Sequence, residues 1–219
     1  MNKIKLLLLI FGLLNISVSI AQTAEPTGTI EIRAKAENLT GMANSGSEGI
    51  VSGLRIAALP ILRPGEIMEM VPGLIVTQHA GDGKANQYFL RGFNLDHGTD
   101  FATYVNGVPA NMPTHAHGQG YTDLNFLIPE LVDLIAYKKG TYSAMDGDFS
   151  AAGSARLEYR KSLDGHLAEV TAGANGYKRL LLAGSPKRQD GQWLYGLEVF
   201  KNDGPWLVPE NYQKLNGVL

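Results

Sequence analysis

Apolar residues change their spacing several times along this chain. Leu6 to Ile20 is mostly apolar, Gln22 to Gly53 has little apolar clustering beyond Ile30, Ile32 and Ile50, and from Leu54 the apolar density rises. In the dense part, Pro64 followed by Glu66, Ile67, Met68, Met70 and Val71 predicts a short helix with Pro in its first turn, ended by Pro72-Gly73. Leu74 to Thr77 then reads as a buried strand. Gln87 to Phe93 and Phe101 to Val105 predict two more, the latter with Phe101, Thr103 and Val105 on one face and Ala102 and Tyr104 on the other. The short stretch between them is expected to close an antiparallel hairpin.

Asn106-Gly107 tolerates positive φ at the end of the second strand, and Pro109 and Pro113 oppose simple continuation of the sheet, so a long loop follows. Thr122 to Leu134 predicts one or two helical turns broken at Pro129, and Ile135 to Lys138 a strand. Ser154 to Arg160 alternates, with Ala155, Leu157 and Tyr159 inward and Arg156, Glu158 and Arg160 outward. Past Ser162 the pattern changes. His166 to Ala174 sets Ala168, Val170, Ala172 and Ala174 opposite Leu167, Glu169, Thr171 and Gly173, and Trp193 to Lys201 aligns Trp193, Tyr195, Leu197 and Val199. Strands of a membrane barrel and of a soluble hairpin both alternate in this way.

The amino terminus adds an address. Lys3 and Lys5 precede the apolar run, and Ser19-Ile20-Ala21 offers small residues where a signal peptidase reads, so cleavage is expected after Ala21. The run is shorter than the roughly 20 apolar residues of a membrane span. Removal of the two lysines leaves 17 basic against 21 acidic residues, a balance that suggests no nucleic-acid partner. Cysteine is absent, which excludes disulfides, thiolate metal sites and cysteine nucleophiles together. In the weakly patterned segment, Thr29-Ile30-Glu31-Ile32-Arg33-Ala34 alternates like an exposed strand awaiting a partner edge, or like a linker with accidental alternation.

Three ordered blocks carry a resemblance: EIMEMVPGLIV at Glu66 to Val76, NQYFLRGFNLDHGTDFATYVNGVPAN at Asn86 to Asn111, and LIPELVDLIAYKKGTYSAMDGDFSAAGSARLEY at Leu127 to Tyr159. Together they resemble the plug domain of TonB-dependent outer-membrane receptors. The resemblance implies an α+β plug with a small mixed β-sheet and short helices, followed by the first strands of a truncated transmembrane β-barrel. Expected boundaries are a signal peptide at 1–21, a flexible segment at 22–53 with the TonB box at 29–34, the plug at 54–162 and barrel strands at 163–219. About 22 strands of roughly 9 to 11 residues would need on the order of 200 residues. Leu163 to Leu219 holds about three, so the chain is expected to be the front of a longer receptor.

The implied function is active uptake of a scarce ligand, a metal, metal chelate or siderophore-like molecule, across the outer membrane of a Gram-negative bacterium. Its implied partners are a TonB-type periplasmic energy-coupling protein, outer-membrane lipid and a small-molecule or metal-chelate ligand. No cofactor is required, and a transition metal enters only as a candidate cargo. A second reading, from another class, is a secreted or periplasmic metal-binding module without transport activity.

His115-Ala116-His117 puts two imidazoles on one side of an extended loop, with Gly118 and Gly120 leaving them open: a metal or metal-chelate site, or simply hydrogen-bonding surface residues. In the expected hairpin, His97 lies near the turn while His79, His115 and His117 lie at the other end, about 20 Å away for seven-residue strands. The expected ligand-binding set is therefore Gln78, His79, Asp82, Asn111, His115 and His117, with His79, His115 and His117 as metal ligands and His97 excluded. Arg91 is expected in a structural ion pair. Arg156, Glu158 and Arg160 either hold the plug against the barrel wall or face water. Enzymatic readings find no support. Gly81-Asp82-Gly83-Lys84 lacks the earlier Gly of a phosphate loop, since position 78 is Gln, and no H-E-x-x-H or G-x-S-x-G is present. Asp96 and His97 could pair as acid and base, but no recognised spacing puts a nucleophile beside them.

Overall fold

The computed structural model describes residues 42–78, 81–188 and 191–219. The expected signal segment, the Thr29–Ala34 box and His79 lie outside these described residues. Strands β1 (Met42–Ser45) and β2 (Glu48–Ser52) lead into α1 (Gly53–Ala57), whose first turn is capped by the Ser52 hydroxyl accepting from the Arg55 amide at 3.4 Å. A 3-10 helix follows at Pro64–Met70, where the predicted helix lies. The Glu66 carboxylate turns back to accept from the amides of Leu62 and Arg63, at 2.9 and 3.1 Å. Strands β3 (Leu74–Thr77), β4 (Gln87–Leu90) and β5 (Phe93–Asn94) form a small antiparallel sheet.

Next come β6 (Phe101–Val105), β7 (Val108–Pro109), and the paired β8 (Asn111–Met112) and β9 (Tyr121–Thr122). A 3-10 turn at Pro129–Leu131 opens into β10 (Val132–Lys139), and a second at Ala144–Asp146 precedes β11 (Gly153–Tyr159). Six of these strands make one mixed sheet in the order β1-β2-β10-β11-β6-β7, antiparallel except for the parallel β6/β11 pair. Its apolar side chains build the core with those of the first 3-10 helix, of Val71 after it and of the connection between β9 and Pro129: Ile67, Met68, Val71, Leu124, Leu127, Ile135, Ala155 and Leu157 are all fully buried.

Three expectations are corrected here. The sheet begins with β1 and β2, earlier than the Leu54 start that apolar density suggested, because β2 is held by pairing to β10 and needs few apolar side chains. Thr122 to Leu134 contains one short 3-10 turn, and β10 starts at Val132. The hairpin between Gln87–Phe93 and Phe101–Val105 does not form. Arg91 (φ 53°) and Gly92 (φ 83°) are consecutive left-handed residues, the backbone of a tight two-residue reversal, so Leu90 faces Phe93 and β4 pairs with β3 and β5. Strand β6 crosses to the other sheet and runs beside β11. Arg91 itself is exposed at this turn.

The last part of the chain is a four-stranded antiparallel sheet of sequential neighbours: β12 (His166–Ala172), β13 (Lys178–Gly184), β16 (Tyr195–Asn202) and β17 (Tyr212–Val218). The short pair β14 (Lys187–Arg188) and β15 (Gly191–Gln192) lies between β13 and β16 in sequence. Four long strands thus occupy the stretch from which about three were expected. No helix among the described residues is long and apolar enough to cross a membrane, which says nothing of crossing by strands.

Candidate functional site: the plug against the strand wall and a histidine loop

The four-stranded sheet has an inverted polarity. In register across it, Ala168, Leu182, Leu197 and Gly217 form one row and Val170, Leu180, Val199 and Leu215 the next. The large apolar members of both rows are exposed. The alternate rows, Glu169-Leu181-Glu198-Asn216 and Thr171-Arg179-Phe200-Lys214, face the mixed-sheet domain and are largely covered. Buried Glu198 and exposed Leu197 are chain neighbours. A wall with apolar outside and polar inside is the arrangement of a strand that meets lipid on one face and a filled lumen on the other.

The covered face grips the mixed-sheet domain through charge. Arg179 sends two nitrogens to Glu130, at 2.6 and 2.9 Å, while its Nε donates to Glu198 at 2.7 Å. Lys214 completes the set, 2.8 Å from the other Glu198 oxygen and 3.2 Å from the Asn125 carbonyl. Asn216 donates to the Phe126 carbonyl at 2.6 Å. An apolar patch lies beside this network, where Ile128 and Leu131 are buried with Leu181 and Ala183. Gly196 leaves room for this patch, since a Cβ would stand 2.6 Å from Leu131 Cδ1 and the leucine would have to shift. Removing one partner from such a buried, hydrogen-bonded charge cluster typically costs about 3–5 kcal/mol. The sequence signal for it was present, charged residues at the inward positions of alternating strands, but Glu130, Arg179, Glu198 and Lys214 were not singled out.

The histidines gather differently from expectation. His97 is packed edge-on to His117, with ring centroids 4.6 Å apart, and tilted against Tyr121 at 5.2 Å. The predicted separation of His97 from His117 is thus overturned, because the reversal at Arg91-Gly92 folds the chain back on β4 in place of extending it. His115 stacks on Tyr121 at 3.9 Å, and its Nδ1 accepts from the His117 amide at 3.1 Å. The segment under them is pinned by its own backbone: the Tyr88 amide donates to the Asp96 carbonyl, the Leu95 amide to the Tyr88 carbonyl and the Thr122 amide to the His97 carbonyl, all at 2.8–2.9 Å. Gly98 (φ 103°) has no room for a side chain, since a Cβ would meet Thr122 Oγ1 at 2.6 Å. Burial pushes the neighbouring Tyr88 phenol well above its ordinary pKa, with the charge of Asp123 adding to the effect.

The remaining expected site residues divide by role. Asn111 is buried and structural. Its Oδ1 accepts from the Thr103 amide at 2.7 Å, and its Nδ2 lies 2.8–3.2 Å from Thr122 Oγ1 and from the carbonyls of Gly98, Phe101 and Gly120. That leaves its polar atoms committed. Asp82 faces the wall, accepting from Asn202 Nδ2 at 2.6 Å, while its amide donates to Glu210 at 2.9 Å. Gln78 accepts from Arg63 at 2.6 Å. Of the outward charges on β11, Arg156 pairs with Asp146 at 3.3 Å and lies 4.2 Å over the Tyr104 ring.

This fold has relatives of known structure. The copper transporter OprC matches with a TM-score of 0.58 at 20% identity, over 80% of this chain and 27% of its own. The ferric enterobactin receptor PfeA of Pseudomonas aeruginosa matches with a TM-score of 0.52 at 17% identity, and the siderophore receptor PirA of Acinetobacter baumannii with 0.53 at 16%. Each covers 73% of this chain and 25% of its own. The chain therefore spans about a quarter of the length of these proteins, and the likeness is one of fold. Residues 41–154, more than half of the chain, match the TonB-dependent Receptor Plug Domain. The chain belongs to the TonB-dependent receptor plug domain family.

Proposed function

We propose that this chain is the plug and first wall strands of an outer-membrane receptor that takes up a scarce metal or metal chelate by TonB-dependent transport. The observation that carries the reading is the inverted sheet: apolar rows outward, and an inward face that holds Glu130 of the plug in a two-pronged contact with Arg179. A secreted metal-binding module would leave Val170, Leu180, Leu182, Leu197, Val199 and Leu215 facing water, an apolar patch of the kind monomeric soluble proteins rarely expose. The names of the similar structures, a copper transporter and siderophore receptors, support the cargo class.

In this reading the plug closes the lumen until ligand binding is passed to the amino-terminal segment. A periplasmic TonB-type protein then pairs as a strand with Thr29–Ala34 and pulls. The residues proposed to meet ligand are Gln78, His79, Asp82, His115 and His117. Asn111 supports them from beneath, since its polar atoms hold the backbone. The receptor needs no catalytic group for this work.

The test uses the full-length protein in cells that depend on it. Accumulation of copper and of ferric enterobactin is measured with and without a proton uncoupler, and a photo-crosslinker at Glu31 reports the periplasmic partner. Energy-dependent accumulation of one probe is expected, and Ile32→Pro, which removes a strand-pairing amide, should abolish both accumulation and capture. Accumulation that ignores both the uncoupler and Ile32→Pro would contradict the reading.

A further inference from the structure

The reversal at Arg91-Gly92 brings His117, which the expected topology puts at the other end of the sheet, to the consecutive residues Asp96 and His97. The side-chain ligand atoms of Asp96, His97 and His117 all lie within 4.8 Å of one another. His97 Nδ1 sits 3.0 Å from both the Ala85 and Asn86 carbonyl oxygens. Only a donor fits between two such acceptors, so Nδ1 carries the proton and a neutral ring holds its lone pair on Nε2. That Nε2 is the atom turned toward Asp96, 3.9 Å from Oδ1. Metal-bound histidines are set up in this way, with the far nitrogen donating to a carbonyl that fixes tautomer and ring orientation.

We infer that Asp96, His97 Nε2 and His117 form a binding site for a divalent transition ion of the zinc class. Two imidazoles and one carboxylate suit that class, and three protein ligands leave a fourth position for water or for a donor of a chelating molecule. Bonds of about 2.0–2.2 Å around a tetrahedral centre set ligand separations near 3.3 Å, so binding draws the three groups in by about an ångström. The anchored member is His97, only 1% exposed and held by its carbonyl partners. Asp96 and His117 are exposed and supply the movement. Asp96 also adopts φ 51°, a conformation that Asp and Asn tolerate better than other side chains. His115, stacked on Tyr121 and accepting an amide, stands outside the set.

The site does not rest on the uptake reading, and equilibrium binding tests it without transport. The full-length protein in detergent micelles is titrated with Zn²⁺ by calorimetry, and with Co²⁺ by visible absorption to report coordination geometry. One ion per site is expected. His117→Ala and Asp96→Asn should each weaken Zn²⁺ binding by at least about tenfold, and His166→Ala, on β12, should leave it unchanged. Asp96→Asn keeps the left-handed backbone, so a loss there reflects the missing charge and not a collapsed loop. Absence of Zn²⁺ binding by the wild type, or wild-type affinity in His117→Ala and Asp96→Asn, would overturn the assignment.

Discussion

Strands β11 and β16 share the same alternation and give it opposite meanings. In β11, Ala155 and Leu157 are buried while Arg156 and Glu158 lie toward the surface; in β16, Glu198 and Phe200 are covered while Leu197 and Val199 are exposed. Period-two patterning therefore fixes that a strand has two faces without fixing which solvent each face meets. What separates the two sheets is the treatment of charge. On β11 the charged Arg156 and Glu158 stay half-exposed, with Arg156 reaching Asp146, whereas the wall draws Arg179, Glu198 and Lys214 inward, where Arg179 also holds Glu130 of the plug.

The largest break in this comparison should come from the inward charges. Arg179→Ala leaves Glu198 and Glu130 without their shared cation and should destabilise plug docking by about 3–5 kcal/mol, read as a lowered urea midpoint for plug unfolding in micelles. Replacing Arg179, Lys214 and both glutamates together by apolar residues of similar size should recover much of that loss, because no uncompensated charge of the cluster remains. A smaller effect is expected outside. Leu182→Arg should cost about 2–4 kcal/mol if its row lies near the bilayer midplane, measured as folding efficiency into lipid vesicles. The same change on a water-facing sheet would cost little.

The plug offers the mildest contrast, a purely internal polar support. Asn111→Ala removes the acceptor for the Thr103 amide and the donors toward three carbonyls, so a loss of about 1–3 kcal/mol is expected, seen in the urea midpoint with the wall unaffected.

Much of this architecture was legible in the chain. Pro64 announced a helix where the 3-10 helix lies, and β3 and β11 stood out by their branched apolar residues and alternation. What was missed has identifiable causes. Arg at 91 carries no rule for a left-handed backbone, so the reversal was not anticipated and His97 was put at the wrong end. Strands β1 and β2 are short and poor in apolar residues, and their order comes from pairing with β10. Asn111 was read as a ligand group because its chemistry permits that. Its five close polar contacts depend on turns that bring Gly98, Phe101, Gly120 and Thr122 around it, a tertiary fact with no local signature.

The claim that the two faces of the wall meet different solvents is tested most directly by spin labels at two adjacent positions of β12. Val170, in the outward apolar row, and Thr171, in the inward row, are each replaced by a labelled cysteine in the full-length protein reconstituted in vesicles. Relaxation by lipid-soluble oxygen is then compared with relaxation by a water-soluble nickel complex. Val170 should respond strongly to oxygen and weakly to nickel, and Thr171 should respond little to oxygen. Equal, nickel-dominated relaxation at both positions would mean that water bathes the apolar rows, and the membrane-wall reading would fall.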